Sequence, residues 1–219
     1  MRIEVAICTL FLALTSEISF CQQQMTKDDI LKTWKEFQKP VIKDSLFRFN
    51  IHAQTRATLD DLLRNEVDTL LVYSVRYPGY IALDSDSCST LDPIHSYFFW
   101  RHLGKDFATK VHGKCEGEQS ITNKTVIKFV SDHYTEMMDE FFMNAIYSAI
   151  LDGDELRVSC NIIDHEAKYE IFFQLGDTVS YSHFTENELM NKESLFYDHN
   201  HSLVLYKLFE LVKDQTKEN

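Results

Sequence analysis

The sequence predicts an α+β fold in which an antiparallel sheet carries helices packed on it, and three observations lead there. Stretches that alternate apolar and polar residues at period two, such as Leu156-Arg157-Val158-Ser159-Cys160-Asn161-Ile162, are interspersed with stretches at helical spacing, such as Ile30, Leu31, Trp34 and Phe37. Six Gly and three Pro in 219 residues leave little material for long irregular loops. Sixteen Phe, ten Tyr and two Trp supply the bulk of a packed core.

The elements are taken in chain order. Thr26 caps a helix that carries Ile30, Leu31, Trp34 and Phe37, with Asp28 and Asp29 at the positive end of its dipole and Pro40 ending it or marking its last turn. Residues 46–52 alternate and read as a half-buried strand, and residues 58–67 as a short helix. Residues 68–83 read as two strands about the Pro78-Gly79 turn. The Ser- and Asp-rich stretch 84–92 marks a boundary, dividing an N-terminal α+β segment, 22–90, from a larger α+β domain, 91–219. Asp92-Pro93 opens a helix through Tyr97, Phe98, Trp100 and Leu103 that Gly104 stops, and residues 107–112 form a short strand. A helix runs from Thr125 through Tyr134. Two strands about Asp152-Gly153-Asp154 and a third over 169–175 read as a meander, with a fourth strand at 178–184 and a helix over 202–212. Similar element orders on either side of the boundary raise the expectation that segment 22–90 is a degenerate repeat of the larger domain.

Arg2, an apolar run over residues 5–14 and the small-residue end at Ser19 and Cys21 have the layout of a secretory signal peptide, expected to be cleaved after Cys21. The run is shorter than the ~20 residues a bilayer requires. Cys88, Cys115 and Cys160 then remain, so one disulfide is expected among them, and the odd thiol is either buried or bridges two chains in a disulfide-linked dimer. Asn123-Lys124-Thr125 and Asn200-His201-Ser202 carry the N-glycosylation pattern. A net charge of −12 without a cationic stripe argues against nucleic acid or an anionic membrane as partner.

The order helix, His112-Gly113-Lys114-Cys115-Glu116-Gly117, helix, then a long meander with Asp152-Gly153-Asp154 at its first turn resembles secreted nematode domains of the nuclear transport factor two-like superfamily. The resemblance covers about residues 92–184. It implies a cone, a curved sheet wrapped on helices with a cavity at its open end, a fold that hosts binders and enzymes alike.

Two function classes are open to such a chain. A pocket isomerase or dehydratase needs a carboxylate or His as base and a Tyr or protonated acid at the oxyanion, and Tyr97, Asp106, His112, Tyr134 and Tyr169 are of the right types. None of the five sits in a recognisable catalytic motif. The expected function is therefore a secreted binding or interaction module, with Tyr97, His112, Tyr134 and Tyr169 as ligand-pocket candidates. Its partner is a small apolar molecule or another protein. Phe172 and Phe173 point to opposite faces of their strand, so either both faces are covered or one ring lines a cavity or interface. No cofactor motif is present, and His199 and His201 beside Asp198 read as structural or solvent-exposed residues, since the sequon Asn200 lies between them and a further ligand to complete a metal site cannot be placed. A lipocalin-like carrier is disfavoured because the helices are too many for an eight-stranded barrel.

Overall fold

The computed structural model describes residues 22–24, 26–37, 53–65, 67–78, 94–112, 115–117, 120–121, 125–152, 155–160, 163 and 165–216. The signal peptide, the strands at 46–52 and 80–83, the boundary stretch 84–92, Cys88 and Asn123 lie outside these residues. No helix among the described residues is long and apolar enough to cross a membrane.

The chain is α+β, as expected, and divides into two compact units, Met1–Lys39 with Ile146–Asn161, and Pro40–Ala145 with Ile162–Asn219. In the first, β1 (Gln22–Gln24) pairs with β7 (Ile146–Asp152), which pairs with β8 (Glu155–Cys160), all antiparallel. The same unit holds α1 (Lys27–Phe37). Its expected cap is present: the Thr26 hydroxyl accepts the Asp29 N–H at 3.2 Å and donates to the Asp29 carboxylate at 2.6 Å.

The second unit is built on five long antiparallel strands in the order β10 (Thr178–Thr185), β9 (Lys168–Leu175), β2 (Thr69–Arg76), β3 (Ile94–His102), β4 (Lys105–His112). Short strands β5 (Cys115–Glu116) and β6 (Ser120–Ile121) add to β4. Every residue of β2 from Thr69 to Val75 is buried, so both faces of the sheet are covered. Alternation sends Leu71, Tyr73, Phe99, Ile171 and Phe173 to one face, under α3 (Thr125–Met138) and α6 (Val204–Thr216). Leu70, Val72, Phe98, Trp100 and Phe172 go to the other, under Leu59 and Leu62 of α2 (Ala53–Arg64). The adjacent Phe pairs are thus divided between two cores. Between β10 and α6 the chain forms the short helices α4 (Glu186–Met190) and α5 (Tyr197–Ser202).

Three expectations change. Residues 94–102 form a strand, whereas a helix was expected over this stretch. Phe98-Phe99-Trp100 is apolar on consecutive positions, and beside the doubly buried β2 only a strand can hand alternate rings to two cores. Gly104 belongs to a two-residue hairpin turn, since His102 pairs with Lys105 and both Leu103 and Gly104 have positive φ, 49° and 72°. The strand at 168–175 leaves the expected meander and pairs with β2 and β10, because Phe172 and Phe173 need cover on both sides while Arg157, Ser159 and Cys160 of β8 are exposed. The division at residue 90 then falls between β2 and β3, neighbouring strands of one sheet, and residues 107–112, expected to follow a helix as the repeat requires, follow a strand.

Leu103 is 84% exposed in the left-handed region, where a Cβ is disfavoured by ~1 kcal/mol and the side chain gains nothing in return. Leu103→Asn, which creates the Asn-Gly pair preferred in such turns, is expected to raise stability by about 1 kcal/mol in urea unfolding at unchanged m-value.

Candidate functional site

Of the four pocket candidates, Tyr97, His112 and Tyr169 lie on the face of the sheet that α3 and α6 cover, and Tyr134 lies on α3 itself. Tyr73 stands between two of them, its ring stacked 6.1 Å from Tyr97 and 6.3 Å from Tyr169. Tyr169 is buried and also stacks 5.4 Å from Phe184, and burial lifts the hydroxyls of Tyr73 and Tyr169 well above the ordinary phenol range. Tyr97 is half-buried, with the Lys110 ammonium 5.6 Å above its ring. Tyr134 on α3 meets Phe173 edge-on at 5.5 Å. Tyr73 and Tyr169 are core members, and Tyr97 and Tyr134 pack half-buried against that core. Asp106 is buried and gripped by the Arg101 guanidinium at 2.7 and 3.0 Å, an end-of-strand ion pair.

His112, the fourth candidate, has a partner that is not evident from the sequence. His95 lies opposite it on β3, with their Nδ1 atoms 3.0 Å apart and ring centroids 4.2 Å apart. On β5, Cys115 pairs with His112 in register and is disulfide-bonded, its bonding partner lying outside the described residues. Cys160 is a free, exposed thiol.

The other face of the sheet carries a polar row at one end of its apolar cluster. Ser96, Ser74, Glu170 and His183 are in register across β3, β2, β9 and β10. Thr55 of α2 donates to Ser96 at 3.1 Å, the Ser74 and Ser96 hydroxyls are 2.8 Å apart, and the Tyr181 hydroxyl donates to Glu170 Oε1 at 3.1 Å. Burial raises the Glu170 carboxyl above its usual range, with the Tyr181 hydrogen bond and the charge of Arg76 opposing.

Asn200 was expected to be an exposed glycosylation site, and the structure corrects this. It is completely buried on α5, its Nδ2 donating to the carbonyls of Met143 and Glu188 at 2.8 and 2.9 Å while Oδ1 accepts the Met143 N–H at 2.8 Å. A glycan needs that nitrogen and the space around it. His199 and His201 sit on a helix, where residues two apart do not share a face, so they form no chelate. His201 is sandwiched between Tyr197 and Tyr206 at 4.1 and 4.2 Å and donates from Nε2 to the Leu189 carbonyl.

Carboxylates that a search for acids and bases would flag are helix caps. Glu188 closes a capping box with Thr185, accepting its N–H at 2.8 Å. Glu166 accepts the Asn187 N–H at 2.7 Å, and Glu140 receives the N–H groups of Val204 and Leu205 at 2.9 and 2.8 Å, ending α6 from a distance of more than sixty residues in sequence. Around α4 lies an open cleft of about 610 Å³. Glu166, Glu186, Glu193, His165 and Lys192 line it together with Ile163 and Met190, and these two apolar side chains are 46% and 44% exposed.

No known family model matches the chain, and no curated protein matches it.

Three outcomes are expected from these buried polar groups. Asn200→Asp removes both donors and places a charge where none is compensated, so a loss of about 3 kcal/mol or more is expected in chemical unfolding. The Asn200 peptide of the parent protein should show no mass change after enzymatic deglycosylation. Burial, with the Glu166 charge adding to it, pushes Glu188 up to about 7 from 4.5. Between these values the folded chain holds a proton that the unfolded chain releases, so this group's contribution to stability falls as pH rises through the window. Glu188→Gln keeps a cap acceptor without the charge, and should be more stable than the parent at pH 8 by on the order of 1–3 kcal/mol, the difference vanishing near pH 4.5 in paired urea titrations.

Proposed function

We propose that the chain is an extracellular binding module, delivered by the signal-like N-terminus, that engages a protein partner through the cleft around α4. The observation that carries this reading is the chemistry of that cleft: three carboxylates, of which Glu186 and Glu193 are exposed, surround two apolar side chains left open to solvent. Such a surface is complementary to a chain segment bearing a Lys or Arg beside an aliphatic residue. The division of Phe98, Phe99, Phe172 and Phe173 between two packed cores favours this over an internal apolar ligand, since no ring of these pairs is left over to line a cavity. The cone implied by the resemblance to the nuclear transport factor two-like superfamily belongs to the same proposal. The antiparallel sheet with helices on it supports that part.

The isomerase-like alternative has one feature in its favour, the Glu170–Tyr181 pair, which joins a carboxyl of raised pKa to a phenol as proton transfer next to a carbonyl would require. Against it, the Asp106 carboxylate is already held by Arg101.

A displayed peptide library selected on the full-length protein tests the proposal. Selected peptides should be enriched in Lys or Arg next to an aliphatic residue. They should bind the Glu186→Lys, Glu193→Lys double variant at least tenfold more weakly, at unchanged thermal midpoint. Peptides with no basic preference, or equal binding to the variant, would refute it.

A further inference from the structure

The Nδ1 atoms of His95 and His112 sit 3.0 Å apart on neighbouring strands, and the pairing of β3 with β4 places the two residues directly opposite each other. In this contact one ring nitrogen donates and the other accepts. A divalent cation would occupy the same place.

We propose that His95 and His112 form a two-imidazole site for a divalent transition metal, with preference for Cu(II). With imidazole donors, affinity among divalent first-row ions rises through Ni(II) to Cu(II) and falls again at Zn(II), so Cu(II) is the preferred ion. Cys115, opposite His112 on β5, is in a disulfide and brings no thiolate. Both histidines are half-exposed, which lets water complete the coordination shell.

The rings are stacked 27° apart, so loading turns them about their Cβ–Cγ bonds until both lone pairs point at the ion, a torsion that is broad for histidine. The backbone is held by the β3–β4 ladder on one side and by the pairing of His112 with Cys115 on the other. This preorganisation gives a two-ligand site useful affinity.

The test titrates the full-length protein with CuCl2 by calorimetry and electron paramagnetic resonance. One equivalent should bind with a two-nitrogen hyperfine pattern. His95→Gln and His112→Gln should each weaken binding at least tenfold, and the double variant little further, since either loss destroys the chelate. His133→Gln, on α3 and outside both the pair and the α4 cleft, should bind as the parent does. In the unsubstituted protein, ZnCl2 should shift the ring resonances of His95 and His112 together, a readout that holds even if a variant folds poorly. Parental copper affinity in both single variants, or unmoved His95 and His112 resonances, would overturn the site.

Discussion

Burial of β2 on both faces is the constraint on which the second unit depends. Seven consecutive residues, Thr69 to Val75, are out of water, and such a strand needs a hydrogen-bonded neighbour on each edge and apolar cover above and below. The neighbours β3 and β9 inherit the requirement, which is why they carry Phe98-Phe99-Trp100 and Phe172-Phe173 rather than simple alternation. Polar side chains gather on the edge strands β4 and β10 and in the row from Ser96 to His183, which crosses β2 at Ser74.

Long-range polar contacts then fasten the helices that cover the sheet. Glu140 ends α6, and Asn200 ties α5 to the backbone at Met143 and Glu188. Each satisfies backbone groups that would otherwise be buried without a partner, at a penalty of about 1–3 kcal/mol apiece. Glu140 and Asn200 are thus engaged in holding the fold, whereas the α4 cleft and the histidine pair are open to solvent. That division separates structural polar residues from those available to a partner or an ion.

Local signals in the sequence are reliable where the physics is local. Thr26 with Asp29 marks a helix start because cap and acceptor lie three residues apart, and the pairing of β7 with β8 comes from alternation and a short turn. The helix expected over Tyr97 and Trp100 fails because Asp92-Pro93 and Gly104 mimic helix ends, and four consecutive aromatics carry no period of either kind. His112 is legible as a polar residue on a strand. His95 as its partner is not, because registry between strands is set by the hairpin turn at Leu103-Gly104, whose glycine serves equally well as a helix stop.

The sequence by itself determined the class of the fold, its wealth of core aromatics, the α1, α3 and α6 helical segments and most of the strands, because these depend on composition and on periods of two and 3.6. Only the tertiary structure decided which strands are neighbours, which Phe of each pair serves which core, that Asn200 is buried rather than open to a glycan, and that His95 faces His112. These are contacts between residues as far as a hundred positions apart in the chain. They are selected by the burial of β2, which has no counterpart in any short window of sequence.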